Sequence, residues 1–168
     1  MKNNILKAMI IVFFAVIASV SCNSSVRAVT QNSGTEFPAY AEFSHVIEIE
    51  WKLTEVRING TNSGFNRSSL SAHGFHDDFT LTFDADFISG AGSPNRYSAP
   101  YTLNDGYSIS IMLIRSTMMA SIFEPVGMRE HDFFQYLQNA YEWRLVNNCL
   151  ELLSKTADGD DVILVFGR

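Results

Sequence analysis

The side chains most often used for chemistry cluster near the middle of the chain. His73, His76, Asp77 and Asp78 lie together in "HGFHDD". Two imidazoles followed by two carboxylates make a donor set that zinc or copper accepts. The surrounding run, Thr61 to Asp78, is polar and broken by glycines. It is predicted to be a long solvated loop, with no rigid scaffold to hold four ligands in place. A second stretch, "SGAGSPNRYSAPY" from Ser89 to Tyr101, opens with Gly90 and Gly92 at a spacing that phosphate loops use. A phosphate loop needs its glycines to open a helix, and the Walker type needs a lysine as well. Here another strand-like run follows, and Pro94 has no N–H to give to a ladder. The stretch is therefore predicted to be a hairpin, with its glycines at a turn or bulge and Asn95 bonding its own backbone.

Two other places carry side chains capable of chemistry. Glu130, His131 and Asp132 open the chain's clearest helical segment. His131 and Asp132 fall on its polar side. Glu130 suits the positive end of the helix, with a buried structural carboxylate as the alternative. Cys149 stands in "NNCLELL" with no histidine near it in sequence, and is predicted to be a small core residue rather than a nucleophile. No G-x-S-x-G, H-E-x-x-H or paired catalytic spacing occurs. The sequence is read as a non-enzyme with no cofactor.

These residues need elements to position them, and the pattern supplies strands. Ile47, Ile49, Trp51 and Leu53 alternate with polar residues up to Asn59-Gly60. Phe79, Leu81 and Phe83 point inward in "FTLTFD", with Thr80 and Thr82 outward. Tyr107, Ile109, Ile111 and Leu113 do the same after the turn at Asn104-Asp105-Gly106. "EWRLV" carries Trp143 and Leu145 on one face. A closing hairpin turns at Asp158-Gly159 and continues through Val162, Leu164 and Phe166. Helical period is convincing only in "MREHDFFQYLQNAY", where Phe133, Phe134, Leu137 and Tyr141 form an apolar stripe. The expected class is mainly β (α+β). It is a small antiparallel curved sheet or lipocalin-like barrel of about eight strands, with one α-helix inserted before the last three. One continuous interior is expected from Phe79, Leu81, Phe83, Ile109, Ile111, Leu113, Trp143, Leu145, Leu164 and Phe166, with Phe134 and Leu137 covering one end.

The N-terminus reads as an export signal. Lys2 and Lys7 precede a thirteen-residue apolar run, Ala8 to Val20. A bilayer span takes about 20 residues, so this run is a signal core rather than a membrane helix. "SVSC" then resembles a bacterial lipobox ending at Cys22, although Ser19 stands where Leu is usual. Ordinary cleavage after Ser21 or Ala28 is the alternative. The expected division is a signal peptide over 1–21, a lipid anchor and flexible tether over 22–44, and a domain over 45–168. The expected product is a membrane-anchored lipoprotein, acylated (palmitate included) at Cys22, on the outer membrane or periplasmic face of the cell envelope. It would be secreted if Cys22 is not lipidated. If Cys22 is acylated, Cys149 has no partner within the chain. Twelve basic residues, less Lys2 and Lys7, stand against eighteen acidic ones. That balance excludes a nucleic-acid partner, since phosphate contacts need a basic footprint. It also disfavours docking on anionic lipid through the protein surface. The membrane would be reached through acylated Cys22, and an envelope protein is the other partner to expect.

Four stretches, in order, carry a family resemblance. "WKLTEV" at Trp51 to Val56 looks like an opening W-x-L strand. "SGAGSPNRYSAPY" looks like a G-x-G-C-N-x-Y…Y hairpin, through Gly90, Asn95, Tyr97 and Tyr101. "RSTMMAS" looks like an S-T-x-M-A-C strand, through Ser116, Thr117 and Met119. "MREHDFFQYL" with the final "VILVF" looks like the E-x-x-F/L-x-x-L helix, headed by Glu130, and the last strand. Together they resemble the META domain family, also called HslJ-like, over about Glu50 to Phe166. The resemblance implies a bacterial envelope protein, linked in some relatives to envelope stress, with no agreed molecular activity. It also implies that these motif residues are structural. Two family cysteines are replaced here, by Pro94 and Ser121, so a disulfide or metal site built on that pair is excluded. The functional expectation is an envelope-tethered, non-catalytic binding or interaction module. The alternatives are a small hydrophobic-ligand carrier using the barrel interior and a metal-handling protein using the His73–Asp78 loop.

Overall fold

A computed structural model of the chain describes residues 42–120 and 124–168. The expectations for 1–41, including the signal peptide, the tether and acylated Cys22, lie outside the described residues, as does Ser121. Ten strands form one antiparallel sheet: β1 (Trp51–Ile58), β2 (Thr61–Asn62), β3 (Thr80–Phe83), β4 (Phe87–Ala91), β5 (Arg96–Leu103), β6 (Ile109–Ile111), β7 (Arg115–Ser116), β8 (Glu142–Val146), β9 (Cys149–Lys155) and β10 (Asp161–Gly167). Helix α1 (Arg67–Ala72) follows β2, and helix α2 (Glu130–Gln138) precedes β8. Eight strands run in the order β6-β5-β4-β3-β1-β10-β9-β8, while β2 pairs with β1 and β7 with β5. The two ends of that order meet. Ser108 bridges to Glu142, the Ile109 N–H donates to the Tyr141 carbonyl at 3.1 Å, and the Trp143 N–H donates to the Tyr107 carbonyl at 2.9 Å. The sheet is therefore a nearly closed barrel, as the strand pattern and the position of the long helix lead one to expect.

Local chemistry explains the turns. Asn59-Gly60 joins β1 to β2 with φ of 49° and 77°. Asn147-Asn148 joins β8 to β9 with φ of 52° and 62°. Two successive positive φ values suit a two-residue hairpin whose twist matches its strands, and Asn and Gly tolerate them best.

Several expectations need correction. Thr61–Asp78 is not one long loop. It contains β2 and α1, and α1 starts because the Asn66 side chain accepts a hydrogen bond from the Ser69 N–H at 3.0 Å. Thr80 is buried rather than outward, because its hydroxyl accepts from the Ala91 N–H at 3.1 Å. Leu113 is 72% exposed and Tyr107 is also exposed. The cause is a change of register along β5. Tyr101 faces Ile111, whereas Ser98 faces Arg115, so one extra residue lies between β6 and β7. It sits beside Pro100, which accepts from the Met112 N–H at 2.9 Å but has no N–H to return. Past that bulge it is Ile114, not Leu113, that packs against the core. A similar irregularity between Leu53 and Glu55 turns Val56 inward on β1. Helix α2 ends at Gln138, so Tyr141 lies beyond it and is exposed.

The interior is aromatic and continuous. Phe79, Leu81, Phe83, Ile109, Ile111, Trp143, Leu164 and Phe166 are buried in one cluster, with Leu145 partly buried against it. Phe133 and Leu137 of α2 are fully buried over one end, with Phe134 beside them. The Phe133 ring meets Phe79 edge to face at 5.2 Å. The core also begins earlier than residue 45: Phe43 is buried and belongs to the same cluster.

Candidate functional site

The motif residues converge where three segments meet: the turn between β4 and β5, the chain after β7, and the first turn of α2. Glu130 is the first residue of α2. One oxygen, Oε1, accepts from the Ser93 N–H at 2.6 Å and from the Asn95 N–H at 2.7 Å. The other, Oε2, accepts from Asn95 Nδ2 at 2.6 Å. Asn95 is itself buried. Its Nδ2 donates a second time, to the Met119 carbonyl at 3.1 Å. Its Oδ1 accepts from the Met119 N–H at 2.6 Å and from the Thr117 hydroxyl at 2.8 Å. The Thr117 oxygen also accepts from the Arg96 N–H at 3.2 Å. Both donors and both acceptor sites of the Asn95 amide are thereby engaged.

The glycines let this knot close. A Cβ on Gly92 would stand 2.5 Å from Glu130 Oε1 and 2.8 Å from the Phe134 ring. A Cβ on Gly90 would stand 2.1 Å from the Thr80 carbonyl oxygen. That same oxygen accepts from the Tyr97 hydroxyl at 2.8 Å, and burial pushes the Tyr97 phenol well above its ordinary pKa. Because the obstacle at Gly90 is backbone, Gly90→Ala should force β3 and β4 apart and cost about 1–3 kcal/mol. Urea unfolding of the variant checks this. An unchanged midpoint would mean that the two strands sit farther apart than described.

The remaining motif residues also bond to the framework. The Trp51 indole N–H donates to the Val46 carbonyl at 3.0 Å, and the Arg168 guanidinium lies 5.2 Å from its ring centre. The Tyr101 hydroxyl donates to the Asp84 carbonyl at 2.7 Å. Ser116 is exposed and pairs with Tyr97. Met119 uses its backbone in the knot and leaves its side chain exposed. Sequence alone has Asn95 bonding its own turn and Glu130 serving the helix dipole. Both places hold, and in addition the two side chains bond each other, with Glu130 partly buried at the helix start. The available signal was the presence of G-x-G, S-T-x-M and a helix-heading Glu in one chain, but no spacing rule says that they touch.

The His73–Asp78 stretch does not gather into one site. His73 caps the end of α1, with Nδ1 2.7 Å from the Ser69 carbonyl. His76 Nε2 lies 3.0 Å from Asp77 Oδ2, and Asp77 also meets Lys52 at 3.4 Å. Asp78 turns inward. Among the described residues, no three His, Cys, Asp or Glu side chains are grouped to hold a metal ion.

Asp78 Oδ2 is buried and has no hydrogen-bond partner. Burial raises the Asp78 pKa, Ser93 and Arg67 oppose the rise, and the charge of Glu130 adds to it. A carboxyl whose folded pKa lies above its unfolded value helps the fold at low pH. That help is lost as pH rises through the folded value. Asp78→Asn should therefore raise the urea midpoint at pH 7, and the gain should shrink as pH falls toward 4. A variant destabilised at pH 7 would contradict this sign.

Cys149 is buried, as expected, but it is disulfide-bonded rather than a free thiol. A cavity of about 210 Å³ lies beside α1, between Asn66, Ser69, His73 and the segment Glu124–Val126. It is outside the barrel. No helix among the described residues is long and apolar enough to cross a membrane.

Comparison with known proteins bears on the family and the fold. A search of curated proteins finds no match. An NMR structure of a protein from Burkholderia xenovorans superposes with a TM-score of 0.54 at 18% identity, covering 86% of this chain and 99% of that one. At that identity the likeness establishes the fold alone. The META domain profile matches residues 44–166, a span that holds every strand but the last residue of β10 and every residue of the Asn95–Glu130 knot. The chain belongs to the META domain family.

Proposed function

We propose that the protein is an HslJ-like, envelope-tethered lipoprotein whose META domain is a non-catalytic interaction module, and that it meets an envelope partner through the outside of the barrel. The observation that carries this reading is the saturation of the motif. The polar groups of Asn95, Thr117 and Glu130 are bonded to one another and to backbone, so these three motif residues serve as a frame for each other. Large apolar side chains that remain outside, including Leu113 and Met118, are available to a partner. The tether rests on the signal-like N-terminus and on Cys22.

Photo-cross-linking in intact envelopes tests the proposal. A cross-linking residue at Leu113 or Met118 should yield a discrete adduct that one at Arg144, on β8, does not. Cys22→Ala should release the protein from membranes or leave an uncleaved precursor. A mature N-terminus at Val29 with no adduct from any position would sink both halves of the reading.

A further inference from the structure

We propose that the turn formed by residues 42–47 is a displaceable plug over a ligand site inside one end of the barrel. The site would take a small aromatic molecule carrying one hydrogen-bond acceptor. Phe43 and Val46 are fully buried, yet neither belongs to a barrel strand. The Phe43 ring stands edge to face with Phe83 at 5.1 Å and with Trp143 at 4.8 Å, and tilts against Tyr101 at 5.9 Å. Strands β3, β5 and β8 thus build an aromatic box, and the turn just before β1 fills it.

The box has one unanswered polar group. Trp143 is completely buried, and its indole Nε1 has no hydrogen-bond partner. A buried donor left unbonded is costly, and such groups in folded proteins call for an explanation. Phe43 brings an aromatic ring to this box but no acceptor atom. A ligand with a ring of similar size and one carbonyl or ether oxygen would replace the Phe43 contacts and give the indole N–H a partner. These two features define the ligand class.

The turn's polar links to the barrel lie mostly at its surface. They include one bridge from Ile47 to Phe83, a bond from the Trp51 indole to the Val46 carbonyl at 3.0 Å, an exposed bond from the Arg168 guanidinium to the His45 carbonyl at 3.4 Å, and an exposed bond from the Tyr107 hydroxyl to Glu42 Oε2 at 2.6 Å. Next comes Glu48, whose N–H donates to the Phe83 carbonyl at 2.8 Å. Its φ of 60° is left-handed, a conformation that costs a residue with a side chain. The strained residue sits at the joint between the turn and β1, where a hinge would have to be. Because plug and ligand want the same space, the apparent affinity is the intrinsic affinity reduced by the fraction of chains with the plug out. This inference does not depend on the anchor or on an outer-face partner.

Titration of the full-length protein with acetophenone tests the proposal, with ethylbenzene as a control that keeps the ring and lacks the acceptor. The readout is the assigned Trp143 indole N–H resonance, together with the amides of residues 42–47. Acetophenone is expected to shift the indole resonance saturably and to expose the amides of the turn to exchange, while ethylbenzene binds at least tenfold more weakly. Phe43→Ala should bind acetophenone at least tenfold more tightly than wild type. Glu42→Ala removes the exposed bond to Tyr107 but no buried side chain, and should bind about threefold more tightly because it loosens the plug. Equal affinity in wild type, Phe43→Ala and Glu42→Ala would overturn the plug. Equal affinity for the two ligands would overturn the assigned chemistry, and no saturable binding by Phe43→Ala or Glu42→Ala would overturn the site itself.

Discussion

Glu130→Ala is expected to cost about 2–4 kcal/mol of folding free energy, through lost hydrogen bonds to a charged group partly withdrawn from water. The carboxylate accepts the Ser93 N–H, the Asn95 N–H and Asn95 Nδ2, all within 2.7 Å. Hydrogen bonds to a charged group are worth about 1.5–3 kcal/mol each, and a donor left unpaired loses its solvation as well. Water can reach part of this site, since Glu130 is only partly buried, so the effect should fall short of the sum of three such bonds. The substitution also removes a negative charge from the first turn of α2, a smaller loss in the same direction. Urea denaturation should show an earlier midpoint with an unchanged slope. A cost below about 1 kcal/mol would mean that the turn between β4 and β5 stands without its carboxylate.

Phe83→Ala is the second large effect, at about 3–5 kcal/mol for deleting a buried aromatic ring. The Phe83 ring is fully buried and meets Tyr101 edge to face at 5.0 Å and Phe43 at 5.1 Å. Tyr101 is anchored elsewhere, through its hydroxyl to the Asp84 carbonyl. The cavity left behind can therefore collapse only partly, which is what makes such deletions expensive. Leu113→Ala is the matched control. Alternation in the sequence puts Leu113 beside Ile111 in the core, but the bulge next to Pro100 turns it into solvent. It should change stability by no more than about 0.5 kcal/mol. If Leu113→Ala cost as much as Phe83→Ala, the register of β6 and β7 would be wrong.

The contrast between those two residues also marks how far the sequence could be read. Alternation over Phe79–Phe83 and Val162–Phe166 identified strands and their inward faces, because a half-buried strand must repeat every two residues. It failed at Thr80, which is buried, and at Leu113, where a single inserted residue inverts the pattern and leaves no mark in composition. Helix α1 was missed because it is short. Its start depends on a capping contact from Asn66, which an Asn in a polar loop does not announce. At the candidate site the residue types were legible and their contacts were not. Asn95, Thr117 and Glu130 are separated in sequence by 22 and 13 positions, and only the folded barrel brings them together. The Phe43 plug lay upstream of any periodic segment, and one aromatic residue in an irregular run carries no signal of burial.

The central claim is that the family motif is a hydrogen-bonded frame rather than a reactive centre, and exchanging its two polar partners tests this most directly. Asn95→Asp sets a carboxylate against Glu130 Oε2, and Glu130→Gln can set an amide N–H₂ against Asn95 Nδ2. Each single variant therefore breaks the central bond. In the double variant, the introduced glutamine can donate to the introduced aspartate and restore that bond, although the Met119 carbonyl still loses its partner at position 95. Equilibrium urea unfolding of the wild type, both single variants and the double variant measures the coupling. The frame predicts that the double variant is more stable than the sum of the single losses by at least about 1 kcal/mol. Strictly additive losses would contradict it, because two residues that hold each other cannot act independently.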